Sequence, residues 1–138
     1  MSRHILIVDN DPYVLQLLEA VLLADGYSVT ACGGPEEALQ RIGARAPDLL
    51  ITDVMMPAMT GMEMLKRARS VGFTGRCLMI SGLSVRAIAE PALASGADMI
   101  LPKPVDLVDL LSHVMRLLPD PRPVPAVSVP AGVGPSAA

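Results

Sequence analysis

The order of apolar and polar positions divides residues 1–118 into five β-α steps. Residues 5–8 form a continuous apolar run, typical of a strand buried on both faces, and Leu15, Leu18 and Leu22 follow at helical spacing. The alternation recurs in four further pairs: SVTAC and PEEALQRIGARA, DLLITD and GMEMLKRARSVG, RCLMIS and VRAIAEPALASG, DMILP and DLVDLLSHVMRLL. We therefore predict an α/β fold: a doubly wound, five-stranded parallel sheet with right-handed crossovers and five helices.

The composition changes after the last predicted helix, which ends at Pro119. Residues 119–138 read PDPRPVPAVSVPAGVGPSAA, a mixture of Pro, Ala, Gly and Val without periodicity. Such a segment cannot bury a core and is predicted to be an extended, disordered tail. We therefore divide the chain into one domain over residues 1–118 and a Pro/Ala-rich tail over 119–138. A docking role for the tail is the less favoured alternative.

Charge and cysteine content narrow the class of partner. The net charge is −3, the pI is about 5.2, and the Lys and Arg residues are scattered, so we expect neither a nucleic-acid nor a membrane partner. Cys32 and Cys77 lie in different apolar segments without metal-type spacing and are predicted to be buried free thiols. No signal peptide or membrane-spanning segment is evident, so a cytoplasmic protein is expected.

Polar residues gather where the predicted strands end. Asp9 and Asn10 follow the first strand, Asp53 ends the third, Ser81 ends the fourth, and Lys103 follows the fifth. Because the carboxyl ends of parallel strands meet at one edge of a sheet, these side chains should lie together. Carboxylates in such a cluster repel one another and need a cation, and an all-oxygen ligand set favours Mg²⁺. A lysine and a hydroxyl beside the metal would complete a phosphoryl site.

Five segments in order carry a resemblance to a known family: ILIVDN, ITDVMMPAMTG, MISG, GAD and LPKP. Through them, residues 3–118 resemble the receiver domain of response regulators in two-component signalling. The resemblance implies a flavodoxin-like sheet in the order 2-1-3-4-5. It also implies that a sensor histidine kinase or a histidine phosphotransfer protein donates a phosphoryl group to an aspartate.

The resemblance assigns a role to each strand-end residue. It implies that Asp53 is the phosphoacceptor, that the Ser81 hydroxyl contacts the phosphoryl oxygens, and that Lys103, with a cis bond to Pro104, points its ammonium at the acceptor. The implied Mg²⁺ ligands are the side chains of Asp9, Asn10 and Asp53 and the backbone carbonyl of Met55.

Asn10 departs from the family pattern. Receivers ordinarily carry two acidic residues after the first strand, and the second is ordinarily the direct metal ligand. Asp11 does not replace it, because Asp11-Pro12 forms a good N-cap and first-turn pair for the first helix. Since cation affinity depends on the number of charged ligands, we predict weaker Mg²⁺ binding than in a three-carboxylate site.

Other departures concern the output of the domain. Ile100 stands three residues before the lysine, where receivers commonly carry a rotating aromatic residue. Pro91 falls inside the fourth helix, which is predicted to start late or be irregular, with a mobile segment over residues 83–95. Met55 and Leu83 are apolar where the family tunes the lifetime of the acyl phosphate, which predicts a long-lived phosphorylated form.

The predicted function is that of a stand-alone receiver that signals through an unknown protein target and is not a turnover enzyme. One alternative is a degenerate receiver that is never phosphorylated and acts as a constitutive binding module. A remote alternative is a phosphohydrolase of the haloacid dehalogenase type, because VDNDP matches its Asp-x-Asp opening. The acidic pair of its fourth motif is missing, since Asp98 stands alone in GADMI.

Overall fold

The computed structural model describes residues 3–118, and the predicted tail lies outside them. The predicted alternation of strands and helices is confirmed. The strands are β1 (His4–Val8), β2 (Ser28–Cys32), β3 (Leu49–Asp53), β4 (Arg76–Ser81) and β5 (Met99–Pro102). The helices are α1 (Pro12–Ala24), α2 (Pro35–Ala44), α3 (Gly61–Ser70), α4 (Val85–Ala94) and α5 (Leu107–Leu117).

The five strands form one parallel sheet in the order β2-β1-β3-β4-β5, as the family resemblance implied. Val8 pairs with Thr52, so the next residues, Asp9 and Asp53, are neighbours at the carboxyl edge. Ser81 pairs with Pro102, which brings the residue after β5 to the same edge. The strand register therefore places the polar strand-end residues side by side.

Helices cover both faces of the sheet and divide the core into two layers. On one face, residues such as Leu6 and Leu50 pack against α2, α3 and α4. On the other, Ile7 and Ile51 pack against α1 and α5. Every residue of β1 and β3 is buried, which explains the continuous apolar runs over residues 5–8 and 49–51. His4, Thr52 and Asp53 are the buried polar residues of these two strands.

Helices α1 and α3, which flank the ends of β1 and β3, begin at the carboxyl edge with side-chain N-caps. The Asp11 side chain accepts a hydrogen bond from the Tyr13 amide and Pro12 occupies the first turn of α1, as expected from the sequence. Thr60 and Glu63 form a capping box at the start of α3. These caps hold the helix starts beside the ends of β1 and β3.

The prediction that α4 starts late or is irregular at Pro91 is wrong. The helix is continuous from Val85 to Ala94, with Pro91 inside it. Proline cannot donate to the Ala87 carbonyl, but both residues are exposed, so solvent can satisfy that carbonyl. Mobility of residues 83–95 stays a prediction that amide exchange can test.

Both cysteines are buried free thiols, as predicted. Burial raises the pKa of Cys32 to about 11 and that of Cys77 to about 12, so neither is a reactive thiolate at neutral pH. None of the helices within residues 3–118 has the length and apolar character needed to cross a bilayer.

His4 is a buried titratable group at the amino end of β1. Its Nδ1 lies 3.0 Å from the Ser28 hydroxyl and its Nε2 lies 3.1 Å from the Thr30 hydroxyl. Burial, reinforced by the Arg45 charge and partly opposed by Asp48, lowers the pKa of His4 below its ordinary value of 6.5. The imidazole of His4 therefore binds a proton less readily in the folded protein than in the unfolded chain.

We expect acid to destabilise the fold through His4. The unfolded chain binds this proton more readily than the folded one, so the free energy of unfolding should fall as the pH drops below 6.5. His4→Gln should flatten this dependence between about pH 7 and pH 5 in urea titrations. His113→Gln, at the second histidine of the chain, is the control. An unchanged slope in His4→Gln would contradict the assignment.

Candidate functional site

The structure brings Asp9, Asp53 and Lys103 together at the carboxyl edge of the sheet. The Lys103 ammonium lies 3.0 Å from Oδ2 of Asp53 and 3.2 Å from Oδ2 of Asp9. The two aspartates are only 2% and 6% exposed, whereas the Lys103 side chain is 27% exposed. One cation therefore bridges two buried carboxylates at a point that solvent and a ligand can reach.

The lysine charge is stabilised by this pairing. Partial burial lowers the pKa of Lys103, but the hydrogen bonds to Asp53 and Asp9 outweigh that effect, and the net pKa lies above the ordinary value of 10.5. The ammonium is therefore fully charged at neutral pH. It offsets the repulsion that would otherwise act between the two carboxylates.

Main-chain amides orient both carboxylates. Oδ1 of Asp9 accepts a hydrogen bond of 2.8 Å from the Asp11 amide, and Oδ1 of Asp53 accepts one of 3.3 Å from the Met55 amide. In each aspartate, one oxygen thus faces the backbone and the other faces Lys103. The loops that follow β1 and β3 set these orientations.

Ser81 lies at the same edge but its hydroxyl is engaged elsewhere. The residue is buried, and its hydroxyl accepts a hydrogen bond of 2.9 Å from the Leu83 amide and donates one of 3.2 Å to the Leu83 carbonyl. Its own carbonyl accepts a hydrogen bond of 2.8 Å from the Lys103 amide. Ser81 thus helps to position Lys103, while its side chain belongs to the turn after β4.

Sequence reasoning missed the part that Gly61 plays beside Asp53. Its amide donates a hydrogen bond of 2.8 Å to the Val54 carbonyl, and a Cβ at this position would collide with the backbone oxygen of Asp53. The glycine allows α3 to begin directly against the end of β3. The spacing of Thr60 and Glu63, typical of a capping box, is the sequence signal that could have located this helix start.

A second polar cluster surrounds Asp98, which the sequence presented as isolated. Asp98 accepts a hydrogen bond of 2.9 Å from the Cys77 amide and lies 3.4 Å from Arg76 and 3.8 Å from Arg69. Arg69 also lies over the ring of Phe73, 4.9 Å from its centroid. The cluster lies at the amino ends of β4 and β5, at the opposite edge of the sheet from Lys103. Its hydrogen bonds and ion pairs connect the loops at that edge.

The oxygen donors at the carboxyl edge are ligands of the type that Mg²⁺ prefers. Within residues 3–118 no group of three or more His, Cys, Asp or Glu side chains could hold a metal. Two carboxylates with neutral oxygens and water are nevertheless a usual set for this ion. The residues that would hold it are Asp9, Asp53, the exposed Asn10 and the backbone carbonyl of Met55.

Asn10→Asp should raise the affinity for Mg²⁺. The substitution adds a third carboxylate to the exposed position beside Asp9, and charge count sets cation affinity. We expect the Kd for Mg²⁺, measured by calorimetric titration, to fall by roughly tenfold. Asp11→Asn, which changes the neighbouring helix cap, is the matched control and should leave the Kd within a few-fold. An equal Kd for wild type and Asn10→Asp would remove Asn10 from the metal site.

Comparison with known sequences identifies the family. The model of the response regulator receiver domain matches residues 5–115. The response regulator MprA of Mycobacterium bovis is 37% identical over 123 residues, which cover 89% of this chain and 54% of that protein. The chain thus spans about half the length of the curated relatives it matches.

Solved structures give the same result. A CheY-like receiver domain protein from Methanospirillum hungatei superposes with a TM-score of 0.82 at 29% identity, covering 86% of this chain and 95% of that one. The CheX-CheY-BeF₃-Mg complex of Borrelia burgdorferi matches with a TM-score of 0.79 at 25% identity, covering 84% and 89%. The haloacid dehalogenase alternative finds no support among these matches. The chain belongs to the family of response regulator receiver domains.

Proposed function

We propose that Asp53 accepts a phosphoryl group from a histidine kinase or a histidine phosphotransfer protein, in an Mg²⁺-dependent reaction. The observation that carries the proposal is the bridging of Asp53 and Asp9 by the Lys103 ammonium at the carboxyl edge. A carboxylate fixed beside a permanent cation is suited to receive an anionic group there. The phosphorylated domain then signals by binding another protein.

The chemistry is a direct transfer between two side chains. An oxygen of Asp53 attacks the phosphorus of the donor phosphohistidine, an O–P bond forms, and the P–N bond breaks as the imidazole leaves. Lys103 offsets the negative charge that the phosphoryl oxygens bring into the site. Asp9, Asn10, Asp53 and the Met55 carbonyl would hold Mg²⁺, which would add further positive charge to the site.

Ser81 would link the acceptor to the surface of the domain. To donate to a phosphoryl oxygen, its hydroxyl has to release the Leu83 carbonyl, to which it donates in this structure. The turn between β4 and α4 then loses a hydrogen bond and adopts another arrangement. Ile100 packs against the core and has no aromatic ring that could rotate. The structural change on phosphorylation would therefore occur in the turn between β4 and α4.

The same proposal covers the enzymatic status, the cellular location and the partners of the domain. The domain modifies only itself and is not a turnover enzyme, and it acts in the cytoplasm through protein partners, without a direct nucleic-acid or membrane partner. The net charge of −3 supports this choice of partner. That the domain works alone stays a prediction, because the curated relatives are about twice as long as the matched region.

The test is phosphoryl uptake from a small-molecule donor. The protein is incubated with Mg²⁺ and acetyl phosphate, and its intact mass is measured. We expect the gain of one phosphoryl group, its loss in Asp53→Asn, and its retention in Asp109→Asn, a variant at an exposed aspartate on α5. No gain at any Mg²⁺ concentration in a folded protein, with kinases also tried, would contradict the proposal.

One observation favours a second candidate function. Asn10 places a neutral amide where receivers carry an acidic metal ligand. A domain that binds Mg²⁺ too weakly to be phosphorylated would act as a constitutive binding module. Absence of uptake in wild type together with uptake in Asn10→Asp would support this reading.

A further inference from the structure

The methionine side chains differ in their solvent exposure. The chain contains nine, of which residues 3–118 include eight. Within that described range two are exposed, Met55 at 53% and Met115 at 50%. The other six are buried or partly buried: Met56, Met59, Met62, Met64, Met79 and Met99. Since oxidation of a thioether requires access, peroxide should oxidise Met55 and Met115 fastest among the eight.

The two exposed methionines differ in their surroundings. The amide of Met55 donates to the Asp53 carboxylate, so Met55 lies at the rim of the acceptor site. Met115 lies near the end of α5, in an apolar groove with Val108 and Leu111. That groove also includes Asp25, at the end of α1 and thus at the opposite edge of the sheet. Met115 is therefore a matched control of nearly equal exposure.

We propose that Met55 is an oxidation site through which a peroxide shortens the lifetime of the phosphoryl group on Asp53. The inference rests on the proposed function of Asp53. In the oxidation, the O–O bond of hydrogen peroxide breaks and one oxygen bonds to the Met55 sulfur. The thioether is oxidised by two electrons to the sulfoxide, and the peroxide is reduced to water.

The effect on the acyl phosphate follows from the change in polarity. Met55 and Leu83 are exposed apolar side chains, each two residues beyond a buried polar residue of the site, Asp53 and Ser81. The sulfoxide is polar and accepts hydrogen bonds, so it binds water at this rim more strongly than the thioether does. Water attacks the phosphorus, the bond to the Asp53 oxygen breaks, and inorganic phosphate leaves with the carboxylate restored.

The experiment measures separately which methionine is oxidised and how fast the phosphoryl group is lost. Wild type, Met55→Leu and Met115→Leu are each treated with hydrogen peroxide or left untreated, and peptide mapping locates the added oxygen among the nine methionines. Each sample is then phosphorylated with acetyl phosphate and Mg²⁺. Loss of the phosphoryl mass is followed after the donor is removed.

We expect oxygen on Met55 and Met115, with a phosphoryl half-life several-fold shorter after peroxide in wild type and in Met115→Leu. The ratio of half-lives before and after peroxide should be close to one in Met55→Leu. Failure of Met55 to oxidise, an unchanged half-life, or an equal effect in Met55→Leu would each overturn the inference alone. A lack of phosphoryl uptake in the untreated protein would overturn the proposed function, and this inference with it.

Discussion

Lys103→Met should lower the rate of phosphoryl uptake by roughly 10²–10³-fold, the usual cost of removing one group that stabilises developing negative charge. The ammonium lies within 3.2 Å of both Asp9 and Asp53, so its loss leaves two buried carboxylates facing an incoming anion. The repulsion between these charges opposes the approach of the donor. The measurement is the rate of mass gain with acetyl phosphate at saturating Mg²⁺.

The chain offers a matched control for this substitution, because it contains two lysines. Lys66 lies exposed on α3, so Lys66→Met removes the same charge from the protein without touching the site. The uptake rate of Lys66→Met should stay close to that of wild type. A rate for Lys103→Met within a few-fold of wild type would mean that Lys103 is a structural counterion and does not act in the transfer.

Gly61→Ala should destabilise the fold by roughly 1–3 kcal/mol, even though alanine favours helix formation over glycine by about 1 kcal/mol. The new Cβ would collide with the backbone oxygen of Asp53. The backbone fixes the position of the Cβ and its partner is a backbone oxygen, so no side-chain rotation can relieve the contact, and either β3 or the start of α3 has to move. We expect a lower urea midpoint and, under the proposed function, slower phosphoryl uptake, since the backbone of Asp53 is displaced.

Gly43→Ala is the control for the alanine effect. Gly43 lies in α2, and a Cβ there would meet nothing within 4 Å. This variant should be more stable than wild type by about 0.5–1 kcal/mol. The same glycine-to-alanine substitution would then lower the free energy of unfolding in one helix and raise it in another. Equal stability of Gly61→Ala and Gly43→Ala would show that the contact with Asp53 relaxes at little cost.

Much of the fold could be read from the sequence because local patterns dominate it. Strands buried on both faces must be apolar throughout, and helices with one buried face repeat their apolar residues at helical spacing. The cap at Asp11-Pro12 also depends on adjacent residues alone and was predicted correctly. The continuity of α4 was not predicted, because the exposure of Pro91 and Ala87 decides whether the missing hydrogen bond is costly.

The sequence by itself determined the α/β alternation and the identity of the polar residues at the strand ends. The parallel sheet then implied that these residues share one edge, because all its strands point the same way. The tertiary structure decided that one ammonium reaches both Asp9 and Asp53, and that the Ser81 hydroxyl is engaged by Leu83. It also decided the close contact of Gly61 and the exposure of Met55. These features depend on loop paths and on neighbours distant in the chain, and no local periodicity encodes them.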